Sequence, residues 1–495
     1  MKEVKIQYDK YKGKTLMEAL GAEGVETGGT CGGKGTCGKC QVVADGRKVM
    51  ACKTLVTGDM VVSLSEGGED VNAKGTAVQL PAGFVWDSGE PGTYGVAVDL
   101  GTTTLVVMLW DLSTGILVDL EAVSNPQRPY GADVMARMEF TLRTPWNGKR
   151  LQSSLINQIN QTISALTMKH GIMLPQIRRI AAVGNTTMSH FFLGEDVAGL
   201  AAYPFAPAFT GSVVTTARMV GLAAHEEPEV YVGPNIAGHV GSDITAGILA
   251  AGYGKAGEQA NRLLLDIGTN GELFLTTGEN AFCCSTAAGP AFEGSSLYQG
   301  MRAAEGAICS VALEDGYLML ETVKDGAPVG ICGSGVIDAM AVMVENGIVD
   351  HFGRIDGPEE VNHFQLTEGD EEHPPVFVTQ QDVREIQMAK AAIAAGASVL
   401  MDRAGITAEE LEEVGIAGAF GSAIRIESAM RIGLLPKTAL SKIVTLGNAA
   451  GIGASMLLLS AKAREEAEQI AAETMHVELA ASTAFQTRYI EEMNF

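Results

Sequence analysis

Four cysteines crowd into a short stretch, Cys31, Cys37, Cys40 and Cys52, spaced C-x5-C-x2-C-x11-C. This is close to the plant-type spacing of a [2Fe–2S] centre. Glycines 32, 33, 35 and 38 lie between the first three. A loop that wraps a cluster must bend sharply and aim amides at sulfur, and glycine permits both. Zinc is the rival ligand for four thiolates, but its sites usually come as two paired CxxC knuckles, whereas three of these ligands share one loop. A second chemistry is written twice. Val96-Ala97-Val98-Asp99-Leu100-Gly101-Thr102-Thr103-Thr104 returns 167 positions later as Leu263-Leu264-Leu265-Asp266-Ile267-Gly268-Thr269-Asn270-Gly271. A strand ending in Asp and running into a Gly/Thr turn presents amides and hydroxyls to a phosphate chain, and its carboxylate can hold Mg²⁺ or a metal-bound water. The bland alternative is a pair of ordinary glycine turns with structural aspartates.

The elements that position these residues are legible in outline. Val4–Tyr8 alternates like a strand, and Thr15-Leu16-Met17-Glu18 is a capping box that opens a helix. Gln41–Val43 and Lys48–Met50 flank Asp45-Gly46, a tight-hairpin signal, and Met60–Leu64 offers another strand. From Ser65 to about Gly92 the composition turns to Gly, Glu, Asp and Pro, which predicts a lightly packed connector. Each Asp-Gly-Thr turn is followed by a second strand, Leu105–Trp110 and Leu273–Thr276. Between and after the two turns, a helical pattern over Asp382–Arg403, ended by Gly405, alternates with short apolar strands at Ile180–Val183 and Val414–Ala417, which favours sheets covered by helices. The expected units are 1–66, a linker at 67–93, and two lobes at 94–260 and 261–495.

Bulk composition sets the exclusions. A formal net charge of -24 over 495 residues repels phosphate backbones, so nucleic acid is not an expected partner. No secretory leader and no apolar run of bilayer length are found, so the expectation is a cytoplasmic protein with no membrane attachment. Cys283, Cys284 and Cys332 sit among apolar neighbours and are expected as buried thiols without metal. Lys390 is expected at a surface. Gly184-Asn185-Thr186-Thr187 and the 235–243 segment are polar turns, and Asp243 is carried as a further candidate carboxylate.

The cysteine loop at 31–40 resembles that of the β-grasp [2Fe–2S] ferredoxins, with a reduced opening hairpin and an early fourth cysteine. The paired Asp-aliphatic-Gly-Thr turns resemble the phosphate motifs of the actin, Hsp70 and sugar-kinase superfamily. Val414 to Ser422 is similar to that superfamily's adenosine segment, and Gly447-Asn448-Ala449-Ala450-Gly451-Ile452-Gly453 to its interlobe helix. The implied fold is a multidomain α+β and α/β chain: a β-grasp ferredoxin-like domain, a linker, then duplicated RNase H-like ATPase lobes. By that resemblance Asp99 and Asp266 organise Mg²⁺ and water. Gly101, Thr102, Thr103, Thr104, Gly268, Thr269 and Asn270 line the ATP phosphates, and Gly418, Ala419 and Gly421 meet the adenosine. In order and extent the whole chain resembles the reductive activators of corrinoid-dependent enzymes. That resemblance implies an ATP-coupled transfer of one electron from the cluster to Co(II) of a corrinoid protein in a methyltransferase system, an upstream electron donor, and a capacity to form a homodimer. A redox-sensing small-molecule kinase, or an electron carrier gated by nucleotide without hydrolysis, are the competing functions.

Overall fold

The computed structural model describes residues 2–23, 25, 27, 40–64, 78–223, 227–254, 260–356, 362–371, 373–421 and 423–495. Cys31 and Cys37, the loop glycines between them and Ser422 lie outside the described residues.

The N-terminal unit contains β1 (Lys2–Ile6), α1 (Tyr8–Tyr11), α2 (Leu16–Ala22), β2 (Gln41–Ala44), β3 (Arg47–Met50) and β4 (Met60–Leu64). The sheet order is β1-β4-β2-β3, antiparallel throughout. The capping box forms as expected: the Thr15 hydroxyl accepts from the Glu18 amide, and the Glu18 carboxylate accepts from the Thr15 amide. Asp45 and Gly46 both take positive φ, 46° and 79°, which matches the two-residue turn to the twist of β2 and β3. β1 pairs directly with β4, and residues 7–15 separate it from α2. Ile6, Leu16, Leu20, Val42 and Val62 close a small core that includes Cys40 and Cys52.

The next unit holds β5 (Tyr94–Leu100), β6 (Thr104–Asp111), β7 (Ile116–Ser124), α3 (Val134–Arg143), α4 (Pro145–Lys169), β8 (Ile177–Val183), α5 (Thr186–Leu193), β9 (Val213–Thr216), α6 (Ala217–Val220), β10 (Glu229–Val232) and α7 (Ser242–Ala251). Its sheet runs β7-β6-β5-β8-β10-β9. The last unit holds β11 (Arg262–Ile267), β12 (Gly271–Thr277), β13 (Asn280–Thr286), β14 (Ala307–Glu314), β15 (Tyr317–Thr322), β16 (Gly330–Ile331), α8 (Gly333–Glu345), β17 (His363–Gln365), β18 (Phe377–Thr379) and α9 (Gln380–Ala404). It continues through β19 (Glu413–Ala417), α10 (Gly418–Gly421), α11 (Ile426–Arg431), β20 (Ile443–Gly447), α12 (Ala449–Leu459), α13 (Ala461–Glu473), β21 (Thr474–His476) and α14 (Thr483–Glu491), with a main sheet ordered β20-β19-β11-β12-β13-β21. In both large sheets three antiparallel strands are followed by two parallel ones: β7-β6-β5 then β8 and β10, and β13-β12-β11 then β19 and β20.

Period-two alternation distributes each central strand between two cores. Val96, Val98 and Leu100 face α4, while Ala97 enters a core shared by both sheets. Leu263, Leu265 and Ile267 face the layer of α8 and α9, while Leu264 enters the same shared core. That shared core is filled by α7 and α12, which cross at very short range: a Cβ on Gly453 would stand 2.1 Å from the Ala246 carbonyl oxygen. Only glycine allows this approach.

The described part of the connector, 78–93, is pinned rather than loose. Val78, Leu80 and Phe84 pack on the shared core. The Asp87 amide donates to Leu459 O, and the Asp87 carboxylate accepts from the Ala461 amide at 2.6 Å, at the junction of α12 and α13. A buried apolar run is therefore not required to fix a connector. Three apolar side chains and one cap suffice.

Candidate functional site

The first Asp-Leu-Gly-Thr turn leaves β5 after Leu100. A Cβ on Gly101 would collide with Thr104 O at 2.3 Å, so the tight return into β6 demands glycine there. All three turn carbonyls are held from behind: Gly101 O accepts from Asn125 Nδ2, Thr102 O from Arg137 Nη2, and Thr103 O from the Asn125 amide. Among the described residues no protein acceptor takes the Thr102 or Thr103 amide. The Thr102 hydroxyl accepts from Asn185 Nδ2 at 2.9 Å, while Asn185 Oδ1 caps α5 by accepting from Met188 N. The Gly184-Asn185 turn is thereby part of this wall. Gly241 lies against it, where a Cβ would stand 2.3 Å from Asn185 Cα, and that contact delivers Asp243 at the start of α7.

The second turn, between β11 and β12, closes through the Gly268 amide donating to Asn270 O at 3.0 Å. Thr269 Oγ1 donates to the Glu293 carboxylate, and the Asn270 side chain bonds the Glu272 carboxylate. Gly418 takes φ +90°, and a Cβ there would meet Asp266 Oδ1 at 2.8 Å. The adenosine-like segment thus abuts the second aspartate directly. Gly421 packs back on Ile416.

Four carboxylates converge where the turns face one another. Burial raises Asp99 to about 7, with the charge of Asp266 adding to it and a hydrogen bond from Asn448 opposing it. Burial raises Asp266 to about 6. Asp243 is pushed up to about 8 by burial and then by Asp266 and Asp99. Glu272 is also raised, by burial first and by Asp243 and Asp266 next. Like charges held together in a cleft are the electrostatic signature of a site that a divalent cation relieves. No three His, Cys, Asp or Glu side chains among the described residues are spaced to grip a bare ion together. The donor set fits Mg²⁺, which takes one or two carboxylates and completes its shell with water and phosphate oxygens.

Glu272, Glu293 and Arg137 belong to this site without being singled out as site residues in the sequence, and Asn448, part of the interlobe-helix string, has a contact that string does not announce. Asn448 caps α12 by accepting from Gly451 N at 2.8 Å, and its side chain also bonds Asp99. The Asn-Ala-Ala-Gly string signals the cap; its second partner, 349 positions earlier, carries no local signal.

In the N-terminal unit, Cys40 Sγ and Cys52 Sγ are both buried and 3.1 Å apart. That is well beyond a disulfide bond of about 2.05 Å and close enough to serve one centre. Two of the four expected ligands are therefore adjacent, and the other two lie outside the described residues. Cys283, Cys284 and Cys332 are buried as expected. Lys390 corrects its expectation. It is 1 % exposed, with Nζ donating to Asn494 O and lying 5.1 Å from the centre of the Phe495 ring. The 490–495 segment folds over α9, a long-range contact that the local helical pattern could not show.

No described helix is long and apolar enough to cross a membrane. Residues 94–256 match the family described as the RACo middle region, and residues 260–495 match the C-terminal domain of RACo, the ASKHA domain. The corrinoid activation enzyme RamQ of Eubacterium limosum is 33% identical over 424 residues, covering 82% of this chain and 71% of that protein. The [Co(II) methylated amine-specific corrinoid protein] reductase of Methanosarcina barkeri is 29% identical over 442 residues, covering 81% and 77%. A solved structure of a reductive activator for corrinoid, iron–sulfur protein superposes with a TM-score of 0.75 at 29% identity over 97% of this chain and 95% of that one. With residues 94–256 and 260–495 both matched and a curated relative aligned along most of its length, the chain belongs to the reductive activators of corrinoid proteins and carries an ASKHA domain.

Proposed function

We propose that this chain uses ATP and Mg²⁺ to drive one electron onto the Co(II) of a corrinoid protein in a methyltransferase system, restoring Co(I). The observation that carries this reading is the opposition of two Asp-Gly-Thr turns, around Asp99 and Asp266, in a chain whose relatives are named as corrinoid activators. Residues 1–66 form the ferredoxin-like unit, 67–93 the connector, and 94–260 and 261–495 two lobes. Their matching strand orders support descent from one duplicated RNase H-like unit. Held by Cys31, Cys37, Cys40 and Cys52, a [2Fe–2S] cluster supplies single electrons.

The chain's own residues do the rest. Thr102, Thr103, Thr104, Thr269 and Asn270, with Gly101 and Gly268, receive the phosphates. Asp99 and Asp266 hold Mg²⁺ or its waters, with Asp243 beside them, and Gly418, Ala419 and Gly421 give backbone room for the adenosine. Each adverse interval of about 59 mV costs a factor of ten in a one-electron transfer, so a gap of about 100 mV opposes reduction by about 2.3 kcal/mol. Nucleotide offsets this by favouring a closed complex in which the cobalt accepts an electron more readily. The close glycine crossing of α12 on α7 is a place where the lobes can shear. The electron comes from an upstream donor, and the protein works in the cytoplasm. The decisive measurement follows Co(II)-to-Co(I) conversion of a corrinoid protein by visible absorbance, with and without ATP. An ATP-dependent rate supports the reading; a rate indifferent to ATP refutes it.

A further inference from the structure

We propose that Arg137 is a positioning residue for the nucleotide's phosphate chain, a buried cation set behind the first phosphate turn; this rests on the nucleotide reading above. Arg137 lies near the start of α3 and has no exposed surface. Its donors go to neutral acceptors: Nε to Gly131 O at 3.0 Å, Nη1 to Gln127 Oε1 at 3.2 Å and toward Met188 Sδ at 3.5 Å, and Nη2 to Thr102 O at 2.5 Å. No carboxylate among the described residues pairs with it. The two acids that attract it through space are otherwise engaged. Asp133 caps α3 by accepting from Ala136 N, and Glu293 accepts from Thr269 Oγ1 on the opposite turn. Arg128 adds a second positive charge nearby.

A buried, unneutralised guanidinium is costly, and burial pulls it down to about 9. Helix stability does not explain it, because the positive end of the helix dipole makes this end of α3 the wrong one for a cation. The turn does explain it. Arg137 draws the Thr102 carbonyl inward, Asn125 does the same for Gly101 and Thr103, and the amides that lack protein acceptors are left for an anion. A phosphate seated on that turn lies one peptide unit from the guanidinium and supplies the missing negative charge. Glu293, which also holds Thr269, competes for the same positive charge until nucleotide arrives.

The test titrates ATP, ADP, AMP and adenosine, with Mg²⁺, into the full-length parent and into Arg137→Lys, Arg137→Met and Glu293→Gln by calorimetry, with melting temperatures recorded alongside. Arg137→Met is expected to weaken ATP by about tenfold to a hundredfold and adenosine by less than about twofold, and Arg137→Lys to recover part of the loss through charge alone. Glu293→Gln is expected to tighten ATP severalfold and decides the matter if Arg137→Met does not fold. Equal weakening of ATP and adenosine in a folded Arg137→Met, a lysine variant no better than the methionine one, or ATP binding unchanged or weakened in Glu293→Gln overturns the assignment. A parent that binds no nucleotide overturns the nucleotide reading itself and this assignment with it.

Discussion

Replacing Asp99 by Asn should make the nucleotide-free protein more stable and a poorer ATPase, with a stability gain that grows with pH. Asp99 is pushed up from 3.8 to about 7 in the fold, chiefly by burial and then by the charge of Asp266. A carboxyl whose folded pKa is raised favours the fold below about pH 4 and loses that contribution as pH climbs toward 7. At about 1.36 kcal/mol per unit, the penalty reaches about 1.7 kcal/mol at pH 5 and about 4 kcal/mol at pH 7. Partial solvent access on the cleft side makes about 2 kcal/mol a better expectation at pH 7. Asparagine is close to isosteric, keeps an acceptor for Asn448 and carries no charge. Melting curves of parent and variant should therefore nearly coincide at pH 4 and separate by roughly 4–8 °C at pH 7, taking about 2–4 °C per kcal/mol. Mg²⁺ with ATP should narrow the gap, because the ion neutralises the cluster in the parent. A separation that does not change with pH would show that the four carboxylates do not strain one another. Undiminished ATP turnover would show that the cleft is misplaced.

Gly418→Ala places a methyl against Asp266 Oδ1 and forces a side chain into φ +90°, so ATP affinity should fall by about tenfold or more in calorimetry while the cysteine cluster's absorbance stays unchanged. Cys52→Ser should remove the visible colour and most of the iron while leaving ATP affinity within about twofold; loss of both would mean that the N-terminal unit and the lobes do not fold independently. Lys390 is lowered by burial from 10.5 to about 8, so the native state releases its proton first and stability should rise by up to about 3 kcal/mol between pH 8 and pH 10.5. In Lys390→Met that rise should vanish from the thermal-unfolding profile.

The local chemistry was fully encoded in short strings. The capping box at Thr15, the Asp45-Gly46 turn, the paired Asp-Gly-Thr turns and the Gly405 stop each depend on residues within a few positions of one another, so backbone sterics and nearby hydrogen bonds decide them. Burial of Cys283, Cys284 and Cys332 followed from their apolar neighbours for the same reason. Tertiary structure decided everything that depends on distance through space. Lys390 is buried because the 490–495 segment covers α9, and Asp87 pins the connector because the α12–α13 junction presents its carbonyl and amide there. Asp243 and Glu272 become members of the carboxylate cluster only when α7 and β12 meet the two turns. Arg137, 35 positions from Thr102, shows no motif at all. Its meaning lies in being buried with neutral acceptors and, among the described residues, no carboxylate partner, and desolvation is a property of packing that no spacing of letters can express.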